Sequence, residues 1–246
     1  MSPLDDSLRL TAKMAPDDGE QVKTLSQKVY RLLLNDILVG EMAPGEKLLL
    51  RDLTERYGQG VSPIREALIL LASEGLLECE GQKGFRVASV SLSELLDLTA
   101  TRQQIEKLML EEAIEKGDTE WESRVVAAHY ALTRTPVPKG VLDTAALNLW
   151  EARHKAFHLA LLSACSSPWM HKIYHQLMMH TERYRIARLL NSPPEGLLQQ
   201  DIEEQHRVIM TAALERNQAE ATRLLSLHIE ETADRVKMLW QKKPVD

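Results

Sequence analysis

From residue 91 to about residue 240 the apolar residues return every three or four positions with hardly a break, and that period admits helices and little else. The interruptions are Gly117 and Asp118, the Pro- and Gly-bearing segment 136–140, and a turn around Asn217. Helices are expected over about 91–116, 119–132, 142–164, 168–190, 195–215 and 218–240. The first opens on a capping box, Ser91 with Glu94 three residues on. Short connections make neighbours antiparallel, so this part of the chain is expected as an all-α antiparallel bundle. Eleven Gly, ten Pro and 4% aromatic residues in 246 disfavour many-stranded β or low-complexity alternatives.

The first third reads differently. Residues 1–20 hold five acidic and two basic side chains with little periodicity, and are expected as a disordered tail. Helical spacing then covers 25–39, 50–57 and 62–73, with Gly58–Gly60 interrupting the last two and Pro63 tolerated in a first turn. Two short β-like runs, 76–80 and 85–88, flank Gly81, Gln82, Lys83 and Gly84 as a hairpin. Three helices and a hairpin make a winged helix-turn-helix. The expected architecture is therefore mainly α: tail 1–20, winged helix-turn-helix 21–89 with a small β-hairpin wing, and helical domain 90–242.

A net charge of −6 does not exclude DNA as a partner, because residues 21–90 carry nine charges of each sign and sum to zero. In a helix-turn-helix the second helix reads base edges through its N-terminal residues. Leu53, Tyr57, Ile64, Leu68 and Leu71 would join the helices to Leu32 and Leu33. Arg51, Arg56 and Arg65 are left for phosphates or bases, with Gln59, Gly60 and Ser62 at the turn and Lys83 and Gly84 at the wing tip. The segments GEMAPGEKL, VSPIREALILLASEGLL and GQKGFRVA resemble the N-terminal domain of GntR-type bacterial transcription regulators. The resemblance implies that the P-x-R-E-A-L helix is the recognition helix. Where that family commonly has an Arg two residues before the Pro, this chain has Val61.

Eight histidines in a helical chain raise a metal reading. His154 and His158 lie four apart, on one helix face. His206 and His228 are each 11 residues from Asn217, so in an antiparallel hairpin both stand roughly 16 Å from the turn, at one level. Any one of them suits equally a core imidazole satisfied by a hydrogen bond. His129, His171 and His175 lack such placement and are expected as surface or packing residues. His180 precedes a polar cluster and can line the same cavity.

The segments TRQQIE, RHKAFHLALLSAC and the paired QH and LH resemble the FCD ligand-binding domain of the FadR subfamily, a helical bundle with a central cavity. Many members hold one divalent metal through an Asp and three His. The matching positions here are His154, His158, His206 and His228, so a His stands for the Asp, a set competent for Zn²⁺ or Ni²⁺. The resemblance also makes Arg102 the cavity arginine. Tyr184 and Arg185 can add a second carboxylate clamp, since a planar guanidinium suits bidentate binding. The RH-x-AFH and RYR runs look most like the glutarate-responsive members, which implies a small dicarboxylate effector.

The expected function is a homodimeric, ligand-responsive transcription regulator, a repressor of a palindromic operator, and not an enzyme. No apolar run reaches a membrane span and the start, MSPLDDSLRL, lacks a secretion-signal layout, so the expected place is the cytoplasm. Cys79 and Cys165 are expected as reduced thiols. Two alternatives stay open: a metal sensor without an organic effector, and a di-iron carboxylate enzyme. Glu151-x-x-His154 and Glu203-x-x-His206 reproduce the Glu-x-x-His pairs of the latter.

Overall fold

The computed structural model describes residues 24–81, 84–138, 144–190 and 197–242. The tail expected over 1–20 and the wing-tip residue Lys83 lie outside them. Two compact units divide the chain, Met1–Val90 and Ser91–Asp246.

In the first unit α1 (Leu25–Leu38) begins at Thr24, whose side chain accepts from the Gln27 amide. Strand β1 (Lys47–Leu48) follows, then α2 (Leu50–Tyr57) and α3 (Val61–Ser73), then β2 (Leu77–Cys79) and β3 (Phe85–Val87). Gly58 ends α2 in the left-handed region, with φ 60°, a conformation a side chain resists. Val29, Leu33 and Ile37 of α1 close with Leu53, Ile64, Leu68 and Leu71 into a core hidden from solvent. Leu32 and Tyr57 stay half-buried, Tyr57 because its hydroxyl donates to Asp36 at 2.6 Å. The sheet has three strands rather than the expected two, ordered β1-β3-β2 and antiparallel, with Lys47 opposite Arg86 and Leu77 opposite Val87. Two residues are too few to show a period, so β1 carries no sequence signal.

Among the described residues of the second unit six helices run in order: α4 (Leu92–Lys116), α5 (Thr119–Thr133), α6 (Thr144–Leu162), α7 (Pro168–Leu190), α8 (Leu197–Leu214) and α9 (Gln218–Lys242). α4 packs along α9, α7 and α6, while α5 lies on α6 and α8. Ser91 caps α4 by accepting from the Glu94 amide, and Asp118 caps α5 by accepting from the Trp121 amide at 2.8 Å. Only half of the expected box at Ser91 forms directly. The Glu94 carboxylate accepts from the Tyr184 hydroxyl, and that hydroxyl accepts from the Ser91 amide, so a tyrosine from α7 completes the cap. Gly117 is needed for space: a Cβ there would stand 2.3 Å from the Trp121 ring. The α8–α9 turn contains Arg216 at φ 59°, held by donation to the Ile114 carbonyl at 2.7 Å and by its guanidinium lying over Trp121. Among the described residues no helix is long and apolar enough to cross a membrane.

Candidate metal centre and candidate DNA-reading helix

His154 and His158 project from α6, His206 from α8 and His228 from α9, and all four are buried. One ligand atom from each lies within 4.8 Å of every other. Tetrahedral donors about 2.1 Å from an ion stand roughly 3.4 Å apart, so small side-chain adjustments suffice to close the set. The walls are apolar: Trp150 stacks on His154 with centroids 4.9 Å apart, and the Phe157 edge meets His206 at 5.1 Å. The equal spacing of His206 and His228 about the turn brings their rings to 4.6 Å.

The donor state of these rings suits a cation. His206 Nδ1 donates to the Ile202 carbonyl at 2.7 Å, which leaves Nε2 with the lone pair, and that atom is buried without a partner. His154 Nδ1 and both nitrogens of His158 are likewise buried and unpartnered. His228 Nδ1 lies 2.8 Å from Gln205 Oε1, and Gln205 in turn donates to Glu231. Burial holds His206 down to about 3 and pushes His154 and His158 well below the ordinary imidazole value; Arg185 adds to the effect on all three. They are neutral at pH 7, the protonation state that binds a metal. Unsatisfied buried nitrogens are costly in an empty core. The cluster therefore fits a divalent ion better than it fits a dry core.

Two buried ion pairs accompany the rings. Arg102 donates to Glu106 Oε1 at 2.7 Å, and the second oxygen of Glu106 has no partner. Arg185 grips Glu151 at 2.9 and 2.5 Å. Burial raises the Glu106 carboxyl, opposed by Arg102. Burial pushes up the hydroxyl of Tyr174, which is also unpartnered, and the nearby Glu106 carboxylate adds to the effect. A cavity of about 10 Å³, room for one water, touches His206 between Trp150 and Ile202.

Of the expected effector residues, Arg102 and Arg185 are buried with the cluster. Tyr184 is a correction: its hydroxyl is engaged at Ser91 and Glu94, the start of α4, and not in a carboxylate clamp. His180 is half-buried and stands outside the group of four. The di-iron alternative loses its carboxylates. Glu151 is committed to Arg185, and among the described residues the ligand group contains His alone. Sequence reasoning passed over Glu106 and Tyr174, and marked Glu151 only as a carboxylate of the di-iron alternative. The i, i+4 spacing of Arg102 and Glu106 was a usable signal; the pairing of Glu151 with Arg185 across 34 positions was not.

In the first unit, α3 buries Ile64, Ala67, Leu68 and Leu71 and leaves Val61, Ser62 and Arg65 exposed. Gly60 gives the helix no side-chain cap and Pro63 has no amide hydrogen, so the Val61 and Ser62 amides stand open at its positive end. Arg65 has no ion-pair partner among the described residues. Arg51 is exposed, and among the described residues its guanidinium meets only its neighbour Asp52, at 3.2 Å. Arg56 is a correction: Asp36 holds it at 2.7 Å and Glu41 at 3.6 Å, so its charge is spent inside the unit. Gln59 is half-buried, and Ser62 contacts Glu66 at 3.4 Å. Gly84 takes φ 104° at the base of the wing, where Glu80 donates to its carbonyl.

Comparison with known proteins reaches both units. Residues 25–87 match the family described as bacterial regulatory proteins, gntR family, and residues 97–231 match the FCD domain. The chain is 34% identical over 227 residues to the HTH-type transcriptional regulator BphR of Paraburkholderia xenovorans, covering 92% of this chain and 91% of that one. It is 36% identical over 200 residues to the HTH-type transcriptional repressor GlaR of Escherichia coli, covering 81% and 90%. The solved structure of E. coli McbR/YncC shares the fold, with a TM-score of 0.73 at 18% identity over 88% of this chain and 99% of that one. The chain thus belongs to the GntR family, with an FCD domain behind its winged helix, and is a transcription regulator rather than an enzyme.

Proposed function

We propose that the chain is a homodimeric cytoplasmic repressor whose grip on a palindromic operator is set by a small carboxylate bound beside one Zn²⁺ or Ni²⁺ ion. The observation that carries this reading is the convergence of four buried imidazoles from three helices, with unpartnered nitrogens on His154, His158 and His206, beside two buried arginines. His154, His158, His206 and His228 would hold the ion, and four neutral ligands leave it with its full positive charge. Bound, it supplies an electrophilic point for an oxygen ligand. Arg102 and Arg185 would take the carboxylates in exchange for Glu106 and Glu151, and a dicarboxylate such as glutarate suits two guanidiniums. The repressor named among the relatives supports repression as the hand of regulation. Arg51, Arg65, Gln59, Gly60, Ser62, Lys83 and Gly84 remain the DNA-contact set, in two copies one helical turn apart.

An acid that binds one state of the bundle better than the other shifts DNA affinity by that difference and no more. The test is operator binding during titration with glutarate and related acids, with and without a chelator. Release that needs both acid and metal supports the reading. Release by metal alone would favour a metal sensor, and indifference to both would sink the proposal.

A further inference from the structure

The DNA-reading helix presents an apolar side chain where a groove contact belongs. Val61, the first residue of α3, is 54% exposed, and no described residue covers it. It shares one stripe of the helix with Arg65 and Ile69, each four residues from the next, and Ile69 is 55% exposed. Stability does not explain the residue, since β-branched side chains are poor helix formers and this one buries little. The open amides of Val61 and Ser62 and the guanidinium of Arg65, unpaired among the described residues, mark this end of α3 as the one that meets DNA.

In the major groove a hydrocarbon side chain has one complementary feature, the 5-methyl group of thymine. We propose that Val61 is a specificity-determining residue that packs on a thymine methyl in each operator half-site. This rests on the reading of α3 as the helix that enters the groove. Four residues of helix span about 6 Å and base pairs stack about 3.4 Å apart along each strand. The thymine therefore lies within about two base pairs of the base read by Arg65. Burying one methyl makes a three- to five-fold difference in affinity.

The experiment selects a duplex from a random pool with the full-length protein, then replaces each thymine in turn by deoxyuridine, which lacks only the methyl group. One thymine per half-site is expected to lose three- to five-fold in affinity on replacement. It should lie within two base pairs of the position where Arg65→Ala relaxes the preference. The Val61→Ala protein, altered at an exposed position, should bind the thymine and deoxyuridine duplexes equally. A selected duplex with no methyl-sensitive thymine, or an equal loss in Val61→Ala, overturns the proposal and leaves the reading of α3 standing. Failure to enrich any duplex overturns that reading, and the proposal with it.

Discussion

Removing the Glu151 carboxylate while keeping its shape is a severe test of the second unit. The Glu151→Gln change strands Arg185, which is 2% exposed and whose Nε and Nη2 atoms both donate to that carboxylate. A buried charge without its counter-ion costs about 3–5 kcal/mol. For a chain of this length about 1 kcal/mol moves the midpoint by roughly 2–4 °C, so the metal-free variant should melt roughly 6–20 °C lower. The pair itself is another matter, because desolvation cancels most of its attraction. Replacing both residues by Met, of similar bulk, should restore most of the loss. Thermal and denaturant unfolding of Glu151→Met, Arg185→Met and the double variant form a cycle that isolates the pairing. The reasoning fails if Glu151→Gln costs under about 1 kcal/mol, since Arg185 would then be in contact with water. It also fails if the double variant is as unstable as the sum of the singles, which would mean no coupling.

Other outcomes follow from the same geometry. Gly117→Ala should destabilise the second unit by about 1–3 kcal/mol through the clash with Trp121, visible as a shift in its fluorescence melting curve; an unchanged curve would mean the ring has room to move. Arg65→Ala should cost about 1–3 kcal/mol of operator affinity in a binding titration, whereas Arg56→Ala should leave the salt dependence of binding unchanged because Asp36 already neutralises it. Metal-free protein should lose stability as pH falls. His154, His158 and His206 stay neutral in the fold, with His206 down to about 3, while unfolded imidazoles take up protons below about 6.5. The unfolded chain then binds more protons, so stability is present above about 6.5 and declines toward 3. Equal denaturation midpoints at pH 7.5 and 5.5 would contradict that protonation state.

Much of this was legible in the chain, and the limits have physical causes. Helix boundaries followed from Gly58, Gly117 and the Ser91 cap because those residues act locally. The histidine cluster was legible because two positions on one helix face and two equidistant from a turn are fixed by helix geometry alone. The partners of the arginines were not. Arg56 looked free, yet Asp36 reaches it from α1, and Tyr184 looked like a ligand clamp, yet it closes the cap of α4 from 90 residues away. Such pairings are decided by how helices pack, and composition at a single position carries no record of them. Strand β1 escaped for a different reason, being a two-residue rung that exists because β3 offers it an edge.

Metal stoichiometry of the full-length protein, after equilibration with Zn²⁺ or Ni²⁺ and removal of unbound ion, tests the centre of the account. One ion per wild-type chain and none in His158→Ala/His206→Ala is the predicted result. A wild-type chain that retains no ion, or a double variant that stays fully loaded, would contradict it.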